Sequence, residues 1–114
     1  EEGSLNGLGW IEGNVKKFDV SKLEENPKIP HMGWNSVKVV SIPELFKGIN
    51  QNQGFYFIHS YYIDVFNKEN IMTITNYGDN FVSGITLSNI YAVQFHPEKS
   101  HSNGVKLLKN FSNL

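Results

Sequence analysis

The 114-residue chain contains no cysteine. That absence excludes a disulfide framework, a thiolate metal site and a cysteine nucleophile drawn from these residues. Long apolar runs are missing too, and none approaches the ~18 residues a bilayer-spanning helix needs. The opening residues, "EEGSLNGLGW", hold neither a basic n-region nor an apolar core, so they do not read as a secretory signal. No charge sign dominates: 10 basic residues stand against 11 acidic ones, for a net charge of -1. The basic residues are scattered apart from Lys16-Lys17, which leaves no electrostatic footprint for nucleic acid or an anionic membrane. No G-x-G-x-x-G or phosphate-loop pattern supports a nucleotide cofactor. The histidines at 31, 59, 96 and 101 show no metal-defining spacing. A cytoplasmic protein without cofactor or metal is the expectation.

Apolar residues make up 39% of the chain and aromatics 13%, enough for one core in one domain of common size. The glycines of "EEGSLNGLGWIEGN" predict turns, and residues 15–20 a weak strand. "SKLEENPKIPHMGWN", with Pro27 and Pro30, reads as a surface loop. "SVKVVSI" predicts a strand, and "PELFKGI" one or two helical turns between Pro43 and Gly48. "FYFIHSYYI" reads as one buried strand. "IMTITNY" and "FVSGITL" form a hairpin around "GDN", and "NIYAVQFH" is the last strand. The only full helix is expected at the end, capped by Ser102 or Asn103. Val105, Leu108 and Phe111 would be its buried stripe, joined by Leu107. Strands that are apolar on both faces need cover on both, and the helices are too few to supply it. Either the chain makes a two-layer structure or part of the fold lies elsewhere.

The chemistry concentrates in "QFHPEKS", at the tip of the last strand. Side chains two apart on a strand share a face, so His96 and Glu98 lie together if the chain stays extended through Pro97. A carboxylate on one imidazole nitrogen fixes the tautomer and leaves the other nitrogen free as a base. This is the base-plus-orienter half of a nucleophilic triad. An ordinary surface pair fits the same spacing.

The wider sequence narrows the choice. "QFHPEKS" resembles the histidine–glutamate signature of class I glutamine amidotransferases, the Cys-His-Glu glutaminases. "GLGWIEG", "IPHMGWN", "FYFIHSYY", "TNYGDNFVSGI" and "GVKLLKNF" occur in that family's order and at its distances. "PHMGWN" resembles in particular the branch serving imidazole glycerol phosphate synthase, in histidine biosynthesis. The resemblance runs from Gly7 to the carboxyl terminus. It implies an α/β fold, a flavodoxin-like three-layer domain with a largely parallel central sheet. Residues 1–114 would be its strand-rich carboxyl-terminal portion. The amino-terminal half, with its Gly-x-Cys-x-Gly nucleophile elbow, is expected to be absent.

The resemblance also implies roles. His96 would be the catalytic base and Glu98 its orienter. Tyr56, Ser60 and Tyr61 would lie at the L-glutamine site. Trp34 and Asn35 would face the cyclase (synthase) subunit of a heterodimer, and Lys99 would pair with an acidic residue there. Ammonia would pass through a tunnel to that partner. Read without the resemblance, Tyr56, Ser60 and Tyr61 belong to a buried aromatic strand. His59 is then a satisfied core histidine, Trp34 a loop anchor and Lys99 an exposed lysine. Two other functions fit the same residues: a non-catalytic docking scaffold, and a glutaminase for sugar amidotransfer in surface polysaccharide synthesis. A scaffold has no evident need for the base and its orienter. Alone, these residues are expected to leave a sheet edge and an apolar face uncovered.

Overall fold

The computed structural model describes residues 7–19 and 29–114. Short links dictate its topology. Ser60 alone separates β4 (Phe55–His59) from β5 (Tyr61–Val65). Gly78 alone separates β6 (Ile71–Tyr77) from β7 (Asp79–Leu87), and Ser88 and Asn89 lead from β7 to β8 (Ile90–Val93). Parallel neighbours need a crossover of about a dozen residues or more, so links this short permit antiparallel pairing or a change of sheet.

The expected parallel sheet is therefore corrected: every pairing among the described residues is antiparallel. A six-stranded sheet runs β1 (Gly13–Lys17), β5, β7, β6, β3 (Lys38–Val39), with β8 also paired to β7. A separate two-stranded ribbon joins β2 (His31–Asn35) to β4. The long helix is α1, His101–Ser112.

Several boundaries differ from the sequence reading. "HMGWN" is strand β2 rather than loop, because it pairs along its whole length with "FYFIH". "FYFIHSYYI" is two strands in two sheets, broken at Ser60, whose carbonyl accepts the Phe18 N–H at 3.1 Å. "SVKVVSI" contributes only Lys38–Val39, and "PELFKGI" a single 3-10 turn, Pro43–Phe46. The weak strand begins and ends earlier than expected, at Gly13–Lys17. Residues 1–6 and 20–28, which include the start of the glycine-rich opening and most of the proline loop, lie outside the described residues.

The core sits between the ribbon, the sheet and α1. Phe55, Phe57 and Met72 are fully buried, joined by Phe81, Phe95 and Leu107. Phe55 stacks on Phe95 with centroids 4.2 Å apart and ring planes 24° from parallel. The helix stripe is also corrected. Asn103, Gly104 and Leu107 face inward, while Val105, Leu108 and Phe111 are exposed. Steps of three residues fall behind the 3.6-residue turn, and the smallest side chain, at 104, marks where the helix approaches its neighbour most closely.

Candidate active site

His96 is fixed by its backbone. Its N–H donates to the Tyr56 carbonyl at 2.9 Å, and its carbonyl accepts the Lys99 N–H at 3.0 Å. The same carbonyl accepts the Ser100 hydroxyl at 2.6 Å. Ser100, fully buried, accepts the Tyr56 N–H in turn at 3.0 Å. The residues after β8 are thus clipped to β4 at two points. Helix α1 presses on the same turn through Gly104, where a Cβ would collide with the Pro97 carbonyl.

The chain does not stay extended through Pro97. His96 is extended, at φ -104 and ψ 97, but Pro97–Lys99 is a 3-10 turn. Proline's fixed φ and missing N–H suit the first position of such a turn. The turn folds Glu98 back, so that its Oε1 lies 2.7 Å from Nδ1 of His96. The contact expected from strand alternation is made instead by a turn. The hydrogen bond from His96 is the main cause that lowers the Glu98 carboxyl pKa, and a backbone hydrogen bond adds to it. With Nδ1–H given to a carboxylate, Nε2 keeps its lone pair, the form a general base requires. The two side chains are 36% and 62% exposed, so a reactant could approach them.

The ribbon brings further residues to this turn. Trp34 is the register partner of Tyr56, with ring centroids 6.2 Å apart, edge to face. Trp34 also stacks on His101, 5.5 Å away at 11°. Tyr56, Trp34, His96 and the exposed Lys99 are therefore joined through β4 and the start of α1. Asn35 lies on the other face of the ribbon from Trp34. It donates to the Asn76 carbonyl at 2.8 Å and accepts the Ser36 N–H at 2.8 Å. Ser60 and Tyr61 follow at the far end of β4, about 13 Å along the strand from Tyr56. There His59 Nδ1–H donates to the Tyr61 carbonyl at 2.7 Å.

Three residues escaped the sequence reading. Ser100 stands inside the quoted motif, but nothing local shows that its hydroxyl reaches back to His96. His101 carries a left-handed φ of 50, unusual for a non-glycine residue, beneath its stack on Trp34. Asn103, read as a possible cap, is instead a buried anchor. Its carboxamide donates to the carbonyls of Asn50 and Gly54 at 2.9 and 2.7 Å and accepts the Asn50 N–H at 2.9 Å. Among the described residues, no three His, Cys, Asp or Glu side chains gather so as to hold a metal ion. No helix among them is long and apolar enough to cross a membrane.

The profile of glutamine amidotransferase class-I matches residues 8–113. The chain belongs to that family. Within this class-I family it is similar to the imidazole glycerol phosphate synthase subunit HisH of Leptospira borgpetersenii, 48% identical over 114 residues, covering 100% of this chain and 56% of the relative. HisH 2 of Methanococcus maripaludis is 50% identical over 111 residues, covering 97% and 54%. HisH of Methanocaldococcus jannaschii is 49% identical over 115 residues, covering 100% and 55%. This amidotransferase chain thus spans about half the length of the curated relatives it matches.

Proposed function

We propose that these residues form the base-bearing part of a glutaminase that releases ammonia from glutamine for a synthase subunit in histidine biosynthesis. The observation that carries this reading is the 2.7 Å bond between Glu98 and His96, on a turn whose backbone is clamped to β4. The chain has no cysteine, so the thiol must be supplied from outside these residues. Such a thiolate attacks the side-chain amide carbon of glutamine. His96 takes the thiol proton and returns it to the departing ammonia, then removes a proton from the water that cleaves the thioester to glutamate. Glu98 holds the ring with Nε2 toward the reacting atoms and stabilises the imidazolium between the two transfers. Tyr56 in β4, and Ser60 and Tyr61 just beyond its end, would flank glutamine. Trp34, half exposed above the same turn, and Lys99 would meet the cyclase subunit, with ammonia passing between the two sites. The rest of the domain would complete a three-layer α/β structure around the strands seen here.

The test compares two nitrogen sources in the complete protein with its synthase partner. His96→Asn should abolish glutamine-driven synthesis, by at least the about 10²–10⁴-fold that a general base contributes. Synthesis from added ammonia should persist, because free ammonia needs neither thiol activation nor a protonated leaving group. Near-normal glutaminase activity in this variant would remove His96 from the chemistry. Loss of both activities would assign it to folding or docking.

A further inference from the structure

A second set of titratable groups lies away from the His96 turn and has no part in the mechanism above. His31 and His59 are direct register partners across the β2–β4 ribbon, exposed by only 3% and 1%. The ends of their hydrogen-bond chain dictate where the protons sit. The Asn76 carbonyl only accepts and the Ser36 N–H only donates, so the Asn35 carboxamide has one orientation. Its Nδ2 therefore donates toward Nε2 of His31, 3.3 Å away, which places the His31 proton on Nδ1. That proton points to Nε2 of His59 at 3.0 Å. The other end agrees independently. The Tyr61 carbonyl can only accept, so His59 carries its proton on Nδ1, 2.7 Å away, and Nε2 is left to accept from His31.

Packing locks both rings. His31 stacks on Tyr77 at 4.0 Å and on Phe57 at 4.8 Å, and Phe18 packs against His59 at 5.2 Å. Burial, and secondarily the neighbouring His59, lowers the His31 pKa to about 4, consistent with a neutral His31 ring. Asp19, Tyr62 and Asp79 line the small cleft beside these aromatic rings. If bulk were all that the core needed here, apolar side chains would supply it without the desolvation cost of two imidazoles. The imidazoles add direction: a donor fixed under the Tyr61 carbonyl, at the Ser60 break where the chain leaves one sheet for the other.

We propose that His31 and His59 are positioning residues that hold the Ser60–Tyr61 break in the conformation the glutamine site requires, with Asn35 fixing their orientation from the ribbon that carries Trp34. The inference rests on the glutaminase reading and deepens it. The test uses the complete glutaminase with its synthase partner. His31→Phe keeps a flat ring for the stacks but cuts the hydrogen-bond chain. The KM for glutamine should rise about 5- to 10-fold, the size of one lost orienting hydrogen bond, while kcat changes less than about two-fold. His59→Asn, whose amide nitrogen can replace Nδ1 as donor, should keep most of the wild-type KM, and His59→Phe should not. A lower melting temperature with unchanged KM in both phenylalanine variants would make the pair core packing alone and overturn the proposal. If those variants fail to fold, long-range proton–nitrogen spectra of the wild type decide: both rings should be neutral with the proton on Nδ1, and an Nε2–H tautomer on either ring overturns the chain. A wild type unable to hydrolyse glutamine would overturn the glutaminase reading as well. An active wild type with KM-neutral variants would overturn the positioning role only.

Discussion

Nδ1 of His96 lies 2.7 Å from Oε1 of Glu98 across a proline that opens a 3-10 turn. The carboxylate is placed by a turn that Lys99 and Ser100 close onto His96 and Pro97, so its position depends on backbone hydrogen bonds more than on its own exposed side chain. Glu98→Gln leaves those bonds intact and removes only the charge. Glutamine-dependent turnover should fall about 10- to 10²-fold, as for other residues that orient a reacting group, and by less than in His96→Asn. Ammonia-dependent synthesis should be unchanged. A steady-state comparison of the two nitrogen donors reads this directly, and a Glu98→Gln loss as deep as that of His96→Asn would make Glu98 more than an orienter.

The neutral His31 gives the fold a pH dependence of defined sign. Its pKa is lowered from 6.5 to about 4 in the folded chain, chiefly by burial. The folded state therefore binds fewer protons than the unfolded state between those values. Stability from this residue is fully present above pH 6.5 and is lost as pH falls toward 4. Between pH 7.5 and pH 5 the loss should be about 2 kcal/mol, at 1.36 kcal/mol per pH unit over the part of the window crossed. Urea unfolding at the two pH values checks it, with His31→Phe as the reference. A pH slope unchanged in His31→Phe would place the titrating group elsewhere.

Gly104 tests whether the helix braces the His96 turn. A methyl group there meets the Pro97 carbonyl, which is backbone and cannot rotate away. Gly104→Ala should therefore destabilise by about 1–3 kcal/mol, despite alanine's better helix propensity, because overpacking outweighs it. The glutamine-dependent rate should fall with it as the His96 turn shifts. Val105→Ala, one position along on the exposed face, should change stability by less than about 0.5 kcal/mol. Equal effects at 104 and 105 in a denaturation series would mean that the helix does not press on the turn.

What the sequence made legible was local. His96 and Glu98 are two residues apart, so their pairing needed only a short-range rule, and it survived even though the expected extended chain became a turn. The hairpin of β6 and β7 was likewise marked by its own glycine turn. Long-range relations were hidden. Nothing local pairs His31 with His59, 28 residues away, or shows that "HMGWN" is a strand until "FYFIH" lies beside it. The sheet direction differs for another reason: the resemblance implies parallel strands, whereas link lengths of one or two residues favour antiparallel neighbours. The stripe of Val105, Leu108 and Phe111 failed because apolar periodicity marks a face without saying what covers it.

Trp34, which stacks on His101, and Lys99, two residues before that histidine, are both exposed. Trp34 is 41% exposed and rests on His101 and Tyr56, so its ring is already ordered and loses little freedom on contact. Ordered aromatics of this kind act as anchors, and their removal costs 2 kcal/mol or more at an interface core, roughly thirty-fold in affinity. Lys99 is an exposed charge, where reversal acts mainly on association rate and salt dependence. In the complete protein, Trp34→Ala should weaken binding of the synthase subunit by about thirty-fold at all salt concentrations. Lys99→Glu should weaken it by about five-fold at low salt, with the difference shrinking as salt screens the charge. Calorimetric titrations at two ionic strengths separate the two signatures, and melting curves of each variant verify the fold. An affinity unchanged in both variants would place the docking face away from the ribbon, and a Lys99→Glu effect that ignores salt would show that its charge is buried against the partner.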